Sequence, residues 1–240
     1  MFWNIRGINS QEKWDAIRDK IVESACHVLC LQETKRENFD PFYLKKFCPR
    51  NLDSFAFAPS IGSSGGLLTV WNSSLFDGTV VQTNSYSITV NLLGRLDNKS
   101  IHVSNIYGPS QPAQKLPFIT WLMNLDTDSY QNWVLGGDFN LIRSPENRNK
   151  PGGDLGEMNL FNEMISDLDH VEIPFSGRNY TWSNMQSDPL LVKLDWVFTC
   201  SNWTSSFPAT FVQPLSRPTS DNPLCSSYWQ WYPQSKDLQI

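Results

Sequence analysis

At 240 residues the chain suits one large domain, or two small ones, with a full hydrophobic core. Hydrophobic content of 40% against 18% charged residues excludes a disordered or membrane-embedded chain. The net charge of −5 argues against a protein that coats nucleic acid by charge alone, yet permits an enzyme that gathers acids around a cation and bases along a phosphate path. Five scattered cysteines (Cys26, Cys30, Cys48, Cys200, Cys225) form no C-x-x-C pair, which points to a reducing compartment and away from a zinc site. The chain opens without an apolar leader and holds no run near the ~18 apolar residues of a membrane span, so an intracellular location, nuclear or cytoplasmic, is expected.

Residues 2–5, Phe-Trp-Asn-Ile, read as a strand short of the ~5–6 residues usual in a core, as if its front were missing. Residues 9–24 are helical: Asn9 can cap, Glu12 completes a box-like pattern, and Trp14, Ile17 and Ile21 share a face. Residues 27–32 form a buried strand that ends at Glu33. Residues 39–47 read as a short helix with Phe42 and Phe47 inward. Strands follow at 54–58, 66–71, 79–82, 87–92 and 100–107, joined by Ser-, Gly- and Asn-rich turns, with an antiparallel hairpin turn at 93–99. Such a run implies largely antiparallel sheets and not a doubly wound parallel one. A helix is expected over 112–125, with Leu116, Ile119, Leu122 and Met123 on one face.

The next stretch, Trp133-Val134-Leu135-Gly136-Gly137-Asp138-Phe139-Asn140, carries the most information. An apolar run stops at two glycines and delivers an acid and an amide. Glycine permits close approaches that a Cβ forbids, and a strand ending this way brings its next side chains to a sheet's rim, where ligands sit. Asp138 could hold a water or a metal there, and Asn140 could donate to an anion; alternatively both bond only local backbone. A loop with Arg143, Arg148 and Lys150 leads to a helix over 157–168, with Met158, Phe161, Ile165 and Leu168 inward. Strands are expected at 171–173, 180–182, 192–198 and 208–213, and Tyr228, Trp229 and Trp231 could add one edge strand. The economical reading is one domain over 1–225 with an irregular tail, 226–240, built as two sheets face to face with helices outside.

Polar residues follow apolar runs at Asn4, Glu33, Tyr107, Asp138, Asn140, Asp195 and Asp221, in the phrases WNIRG, LQETK, NIYGP, GGDFN, KLDWVF and PTSDNPL. This set, in this order, resembles the endonuclease/exonuclease/phosphatase superfamily, and most of all the endonuclease domain of plant LINE-type (non-LTR) retrotransposons. The resemblance implies a four-layer α/β sandwich and Mg²⁺- or Mn²⁺-dependent phosphodiester hydrolysis, with DNA as partner. It implies Glu33 as the metal-binding acid with Asn4 beside it, and Asp221 at both the metal and the catalytic group. It implies Tyr107 as the hydroxyl on the scissile phosphate, Asp138 as the acid that orients or activates the attacking water, and Asn140 as a transition-state donor. Thr181 and Trp182, in Tyr-Thr-Trp-Ser, resemble the family's strand beside the nucleic-acid cleft. Arg143, Arg148, Lys150, Arg178 and Lys193 either line a nucleic-acid path or are solvated charges. Arg6 and the Gly65-Gly66 pair read as scaffold, as does Trp182 in the reading from the residues alone. The chain holds no reverse-transcriptase segment, and a monomer is favoured.

One piece departs from the pattern. In the retrotransposon branch the last motif typically runs Ser-Asp-His-Asn-Pro, whereas here Ser220-Asp221 is followed directly by Asn222-Pro223, as after a one-residue deletion. The imidazole is gone, and with it the group that Asp195 is implied to orient. No other histidine is well placed: His27 lies ~20 Å along its strand from Glu33, and His102 lies ~16 Å from Tyr107. A missing general acid or base costs ~10²–10⁴ in rate, which implies an impaired nuclease. The alternatives are a non-catalytic, nucleic-acid-binding remnant of a retroelement, or a small-molecule phosphoesterase of the same superfamily. The latter branch usually carries Asp-Arg where this chain has Asp195-Trp196.

Overall fold

The computed structural model describes residues 1–62, 64–125 and 130–215, and the backbone of 228–231. The elements of its first half are β1 (Phe2–Asn4), α1 (Gln11–Ser24), β2 (Val28–Gln32), α2 (Pro41–Leu44), β3 (Ser54–Ile61), β4 (Ser64–Trp71), β5 (Phe76–Thr83), β6 (Ser87–Gly94) and β7 (Ser100–Tyr107). The second half adds α3 (Pro112–Met123), β8 (Trp133–Asp138), a 3-10 turn at Pro145–Asn147, α4 (Leu155–Asp167) and β9 (His170–Glu172). It continues with β10 (Trp182–Ser183), β11 (Leu191–Val192), β12 (Asp195–Cys200), α5 (Ser201–Ser206), β13 (Val212–Pro214) and β14 (Tyr228–Trp231).

Two six-stranded sheets form, ordered β13-β14-β1-β2-β4-β3 and β5-β6-β7-β8-β12-β9, with β10-β11 as a small ribbon. The runs β1-β2-β4-β3 and β8-β7-β6-β5 share one pattern, a parallel pair continued by antiparallel neighbours. Those parallel pairs make the sheets mixed, though mostly antiparallel. The strand at Tyr228–Trp231 lies inside the first sheet, between β13 and β1, rather than at its edge or in an irregular tail.

Strand side chains alternate between faces, and the apolar residues sort accordingly into three layers. Trp3, Leu29, Leu31, Leu68 and Val70 pack outward against Ile17, Ile21 and Leu44 of α1 and α2. Phe2, Val28, Cys30, Leu67, Val90, Val103, Val134 and Val197 meet between the sheets. Trp133, Leu135 and Phe198 pack outward against Phe118, Ile119, Leu122, Phe161 and Ile165 of α3 and α4. Helix, sheet, sheet and helix thus form the expected four-layer α/β sandwich. No helix among the described residues is long and apolar enough to cross a membrane.

Several local expectations are corrected. Ser10, not Asn9, caps α1 by accepting from Lys13 N, while Asn9 Oδ1, the atom that would cap, accepts from the Tyr43 hydroxyl and Arg36. Helix α2 has only one turn, begun by Pro41 and capped by Asp40, too short to carry a broad face. Phe42 is therefore 79% exposed while Phe47 is buried. In α3 the inward face runs through Phe118, Ile119 and Leu122, leaving Leu116 and Met123 exposed. The segment 192–198 is two strands, because the Thr181 hydroxyl accepts from both Leu194 N and Asp195 N and breaks the ladder there.

Midway to one end of the interlayer, Asn105 replaces an apolar residue. Its Nδ2 donates to Leu31 O, Leu68 O and Thr69 Oγ1 at 3.1–3.2 Å across the sheets, and its Oδ1 accepts from Gln32 Nε2 at 2.6 Å. Replacing it by Leu would leave buried partners unsatisfied. Asn105→Leu should lower unfolding free energy by at least ~2 kcal/mol despite added hydrophobicity; an unchanged urea midpoint would refute this account.

Candidate active site

The same alternation that places Phe2, Cys30, Val103, Val134 and Val197 between the sheets continues to the strand ends. It turns Asn4, Gln32, Tyr107, Asp138 and Asp195 into the interlayer, where the packing becomes polar. In register, Asn4 lies beside Gln32, while Tyr107, Asp138 and Asp195 form a row across three adjacent strands. The two sheets meet through side chains there. Asn4 Nδ2 donates to Asp138 Oδ2 at 2.8 Å in a buried bond, and Asn140 N donates to the other oxygen, Oδ1, at 2.9 Å.

The two glycines before Asp138 serve distinct needs. A Cβ on Gly136 would lie 2.6 Å from the Phe2 ring, and Gly137 has φ +139° with Ile106 O only 2.1 Å from a would-be Cβ. Close sheet approach and a sharp strand end therefore require both. Asn140 is left-handed at φ 52° and its Nδ2 donates to Gly108 O at 2.8 Å.

Glu33 stands one residue past β2, at φ 53°, where the chain leaves the sheet. Its carbonyl accepts from Gly7 N at 2.7 Å, and its neighbours are tied by Thr34 N to Gly66 O and Lys35 N to Gly65 O, both 3.0 Å. Gly65 and Gly66 are thus scaffold for the Glu33 loop, as expected: a Cβ on Gly66 would lie 2.5 Å from Thr34 Oγ1. The Glu33 carboxylate pairs with Lys35 Nζ at 3.1 Å.

These groups share one electrostatic field. Burial pushes the Asp138 carboxyl up to about 6; bonds from Asn4 and Asn140 and the charge of Arg6 oppose that rise, and Glu33 adds to it. Burial also pushes the Tyr107 phenol up, reinforced by Glu33 and Asp138 and opposed by Arg6. Lys13, which donates to Ile5 O at 2.8 Å, is lowered to about 8 by burial and then by Arg6, with Glu33 opposing and Lys35 adding. The rim cations are Arg6, which the sequence led us to expect as scaffold, and Lys13 and Lys35, which it did not single out. The only signal was their nearness in sequence to Asn4 and Glu33.

Does the donor set suit a metal? Among the described residues no group of three His, Cys, Asp or Glu side chains converges. The partly exposed Glu33 carboxylate supplies the oxygen chemistry of a hard cation that keeps several waters, as Mg²⁺ does. Asp221 lies outside the described residues.

Comparison with known proteins bears on the same arrangement. Residues 1–221 match the Endonuclease/Exonuclease/phosphatase family. The chain belongs to this family. Similar solved structures include the AP endonuclease LMAP from Leishmania major (18% identity, 98% of this chain and 87% of that one, TM-score 0.69). Another is the endonuclease domain of TRAS1, a telomere-specific non-LTR retrotransposon (11% identity, 88% and 90% covered, TM-score 0.63). A third is the 3'-5' exonuclease NExo from Neisseria meningitidis (15% identity, 96% and 99% covered, TM-score 0.69). At such identities these likenesses speak to the fold alone. No curated protein matches.

Of the remaining candidates from sequence, three are paired with carboxylates. Arg143 Nη1 and Lys193 Nζ share the Glu172 carboxylate, and Lys150 pairs with Asp188, so their charge is locally offset. Arg148 has a buried Nε without a partner among the described residues, and its guanidinium lies against Gly152. Arg178 is part-buried in the loop before β10, and Trp182 is part-buried on β10. Thr181 is buried, and its hydroxyl fixes the start of β12 and hence Asp195.

The Asp138 shift has a measurable sign. Its pKa in the folded protein, about 6, lies above the ordinary 3.8, so its stabilising contribution is complete below the lower value and is lost as pH rises through the upper one. In metal-free protein the urea midpoint of Asp138→Asn should gain on the parent's between about pH 4 and about pH 7. A constant offset across that window would mean the carboxyl is not held buried.

Proposed function

We propose that this protein is a metal-dependent phosphodiester hydrolase of DNA endonuclease type, most like the endonuclease domain of plant LINE-type retrotransposons, with an impaired site. The observation that carries the reading is the Asn4–Asp138 bond, which joins the sheets where Tyr107, Asp138 and Asp195 stand in register. Nuclease neighbours, among them a retrotransposon endonuclease domain and AP endonucleases, support DNA as the substrate.

Glu33 and Asn4, with Asp221, would hold Mg²⁺ or Mn²⁺. Such a cation, when bound, polarises the phosphate and offsets its growing charge. Asp138 takes the proton of the attacking water: burial raises its basicity, and bonds to both oxygens fix its orientation. Tyr107 remains a phenol at neutral pH and donates to the phosphate. Asn140 gives one amide hydrogen to Gly108 O and has a second for a non-bridging oxygen. Asp195 would orient an imidazole in the complete motif. The basic residues Arg143, Arg148, Lys150, Arg178 and Lys193, with Thr181 and Trp182, would border the nucleic acid. Of these, Arg143, Lys150 and Lys193 would first have to leave their carboxylates.

One observation favours a second reading, a non-catalytic nucleic-acid-binding remnant: none of the three histidines lies at the rim. His102 faces Trp133 in register, at the far end of β7 from Tyr107. His170 Nδ1 lies 2.6 Å from Leu168 O, and His27 precedes β2.

Calorimetry should detect Mg²⁺ binding to the parent and lose most of its heat in Glu33→Ala; equal affinity would remove Glu33 from the metal. Inserting one His between Asp221 and Asn222 should raise Mg²⁺-dependent plasmid nicking by ~10²-fold or more. Asn222→His should help less, because Pro223 would then restrict the residue bearing the ring. An insertion protein that binds Mg²⁺ and DNA yet nicks no faster than the parent would favour the remnant.

A further inference from the structure

Arg6 was read from sequence as scaffold, but its surroundings are those of a ligand-binding residue. Its backbone is left-handed at φ 51°, a conformation that side-chain-bearing residues rarely adopt. The conformation is imposed by the ends of β1 and β2, and Asn4 links it to the second sheet. Arg6 N donates to Asn4 Oδ1 at 3.2 Å while the same amide's Nδ2 holds Asp138, and the flanking Ile5 N and Gly7 N donate to Gln32 O and Glu33 O at 3.0 and 2.7 Å. The residue is thus fixed between the Asn4 amide, which holds Asp138, and the backbone carbonyls of Gln32 and Glu33.

The other rim cations are committed: Lys13 Nζ to Ile5 O and Lys35 Nζ to Glu33. Among the described residues the half-buried Arg6 guanidinium has no hydrogen-bond acceptor and no ion-pair partner. Its five N–H donors are open to acceptor oxygens beyond the described residues. Through Asn4, which accepts from Arg6 N and donates to Asp138, the residue stands at the rim where Asp138 and Tyr107 lie side by side in register. A guanidinium fork matches two oxygens of a phosphate in a way that a lysine ammonium does not.

We propose that Arg6 is a phosphate-binding residue, its guanidinium donating to the non-bridging oxygens of the phosphodiester that Tyr107 and Asp138 face. The proposal rests on the hydrolase reading above and adds to it a donor that the family resemblance did not supply. In a chain whose last motif has no imidazole, Arg6 is a remaining source of positive charge at that oxygen.

The test is an NMR titration of the full chain, in Mg²⁺, with the dinucleotide d(TpT) and its uncharged methylphosphonate analogue. Arg6→Gly is the informative variant, because glycine accepts the left-handed backbone and keeps the fold. The parent should prefer d(TpT) over the neutral analogue. Arg6→Gly should bind d(TpT) about 10- to 100-fold more weakly and lose that preference. Arg6→Lys should recover part of it. Lys45→Ala, at an exposed position on the end of α2, should match the parent. If Arg6→Gly binds and discriminates like the parent, Arg6 is not the phosphate ligand and the hydrolase reading stands. If the parent itself fails to bind d(TpT), or does not distinguish it from the neutral analogue, both the Arg6 assignment and the phosphodiester reading fall.

Discussion

One buried hydrogen bond, from Asn4 to Asp138, sets how the two sheets meet at the rim. Apolar contacts further in, such as Phe2 on Gly136, draw the sheets together without fixing their offset. Directional bonds do fix it, and they begin with the Gln32–Asn105 amides beneath the rim. The interlayer is therefore graded along the strands: dispersion and hydrophobic burial in its middle, oriented polar pairs at one end. A strand slipped by one residue would exchange its faces and would bury Ile5 or Phe139 in the wrong layer while expelling Asn4 or Asp138.

The rim is costly in local terms. Half of the eight described non-glycine residues with positive φ lie there: Arg6, Glu33, Lys35 and Asn140. Close by, Gln32 Oε1, Thr34 Oγ1 and Ser60 Oγ are buried without partners among the described residues. Buried unsatisfied groups and sparsely populated backbone states persist where the surrounding structure over-determines them. Here that support comes from the ladder bonds of β2 and β4 and from the glycine pair at 65–66.

The fold was legible in sequence where alternation ran long and turn residues were clear, as in β6, β7 and β8. It was illegible where an element was too short to hold a phase. One turn at α2 let Phe42 face water, and the polar α5, with Trp203 its only buried residue, carried too weak a pattern to be seen. Of the candidate site, the strand-end residues were readable because a polar side chain closing an apolar run has few structural uses. Charge was not readable. Nothing in sequence links Arg143 and Lys193 to Glu172, or marks Arg6 as uncommitted, because those facts depend on partners distant along the chain.

The position of β14 between β13 and β1 bears on when this protein can fold. Phe2 is opposite Trp229 in register, so the first sheet is completed only when those two strands pair. Ribosomes add ~5–20 residues per second, so the partner follows on the order of 10–50 s after Phe2 is made. Until then β1 is held by its parallel neighbour β2, through three residues, and by β8 across the interlayer, through Phe2 on Gly136 and Asn4 on Asp138. Asn4 belongs to that strand. The edge of β1 that pairs with β14 stays without its strand partner for that interval, an open edge that can pair with another chain.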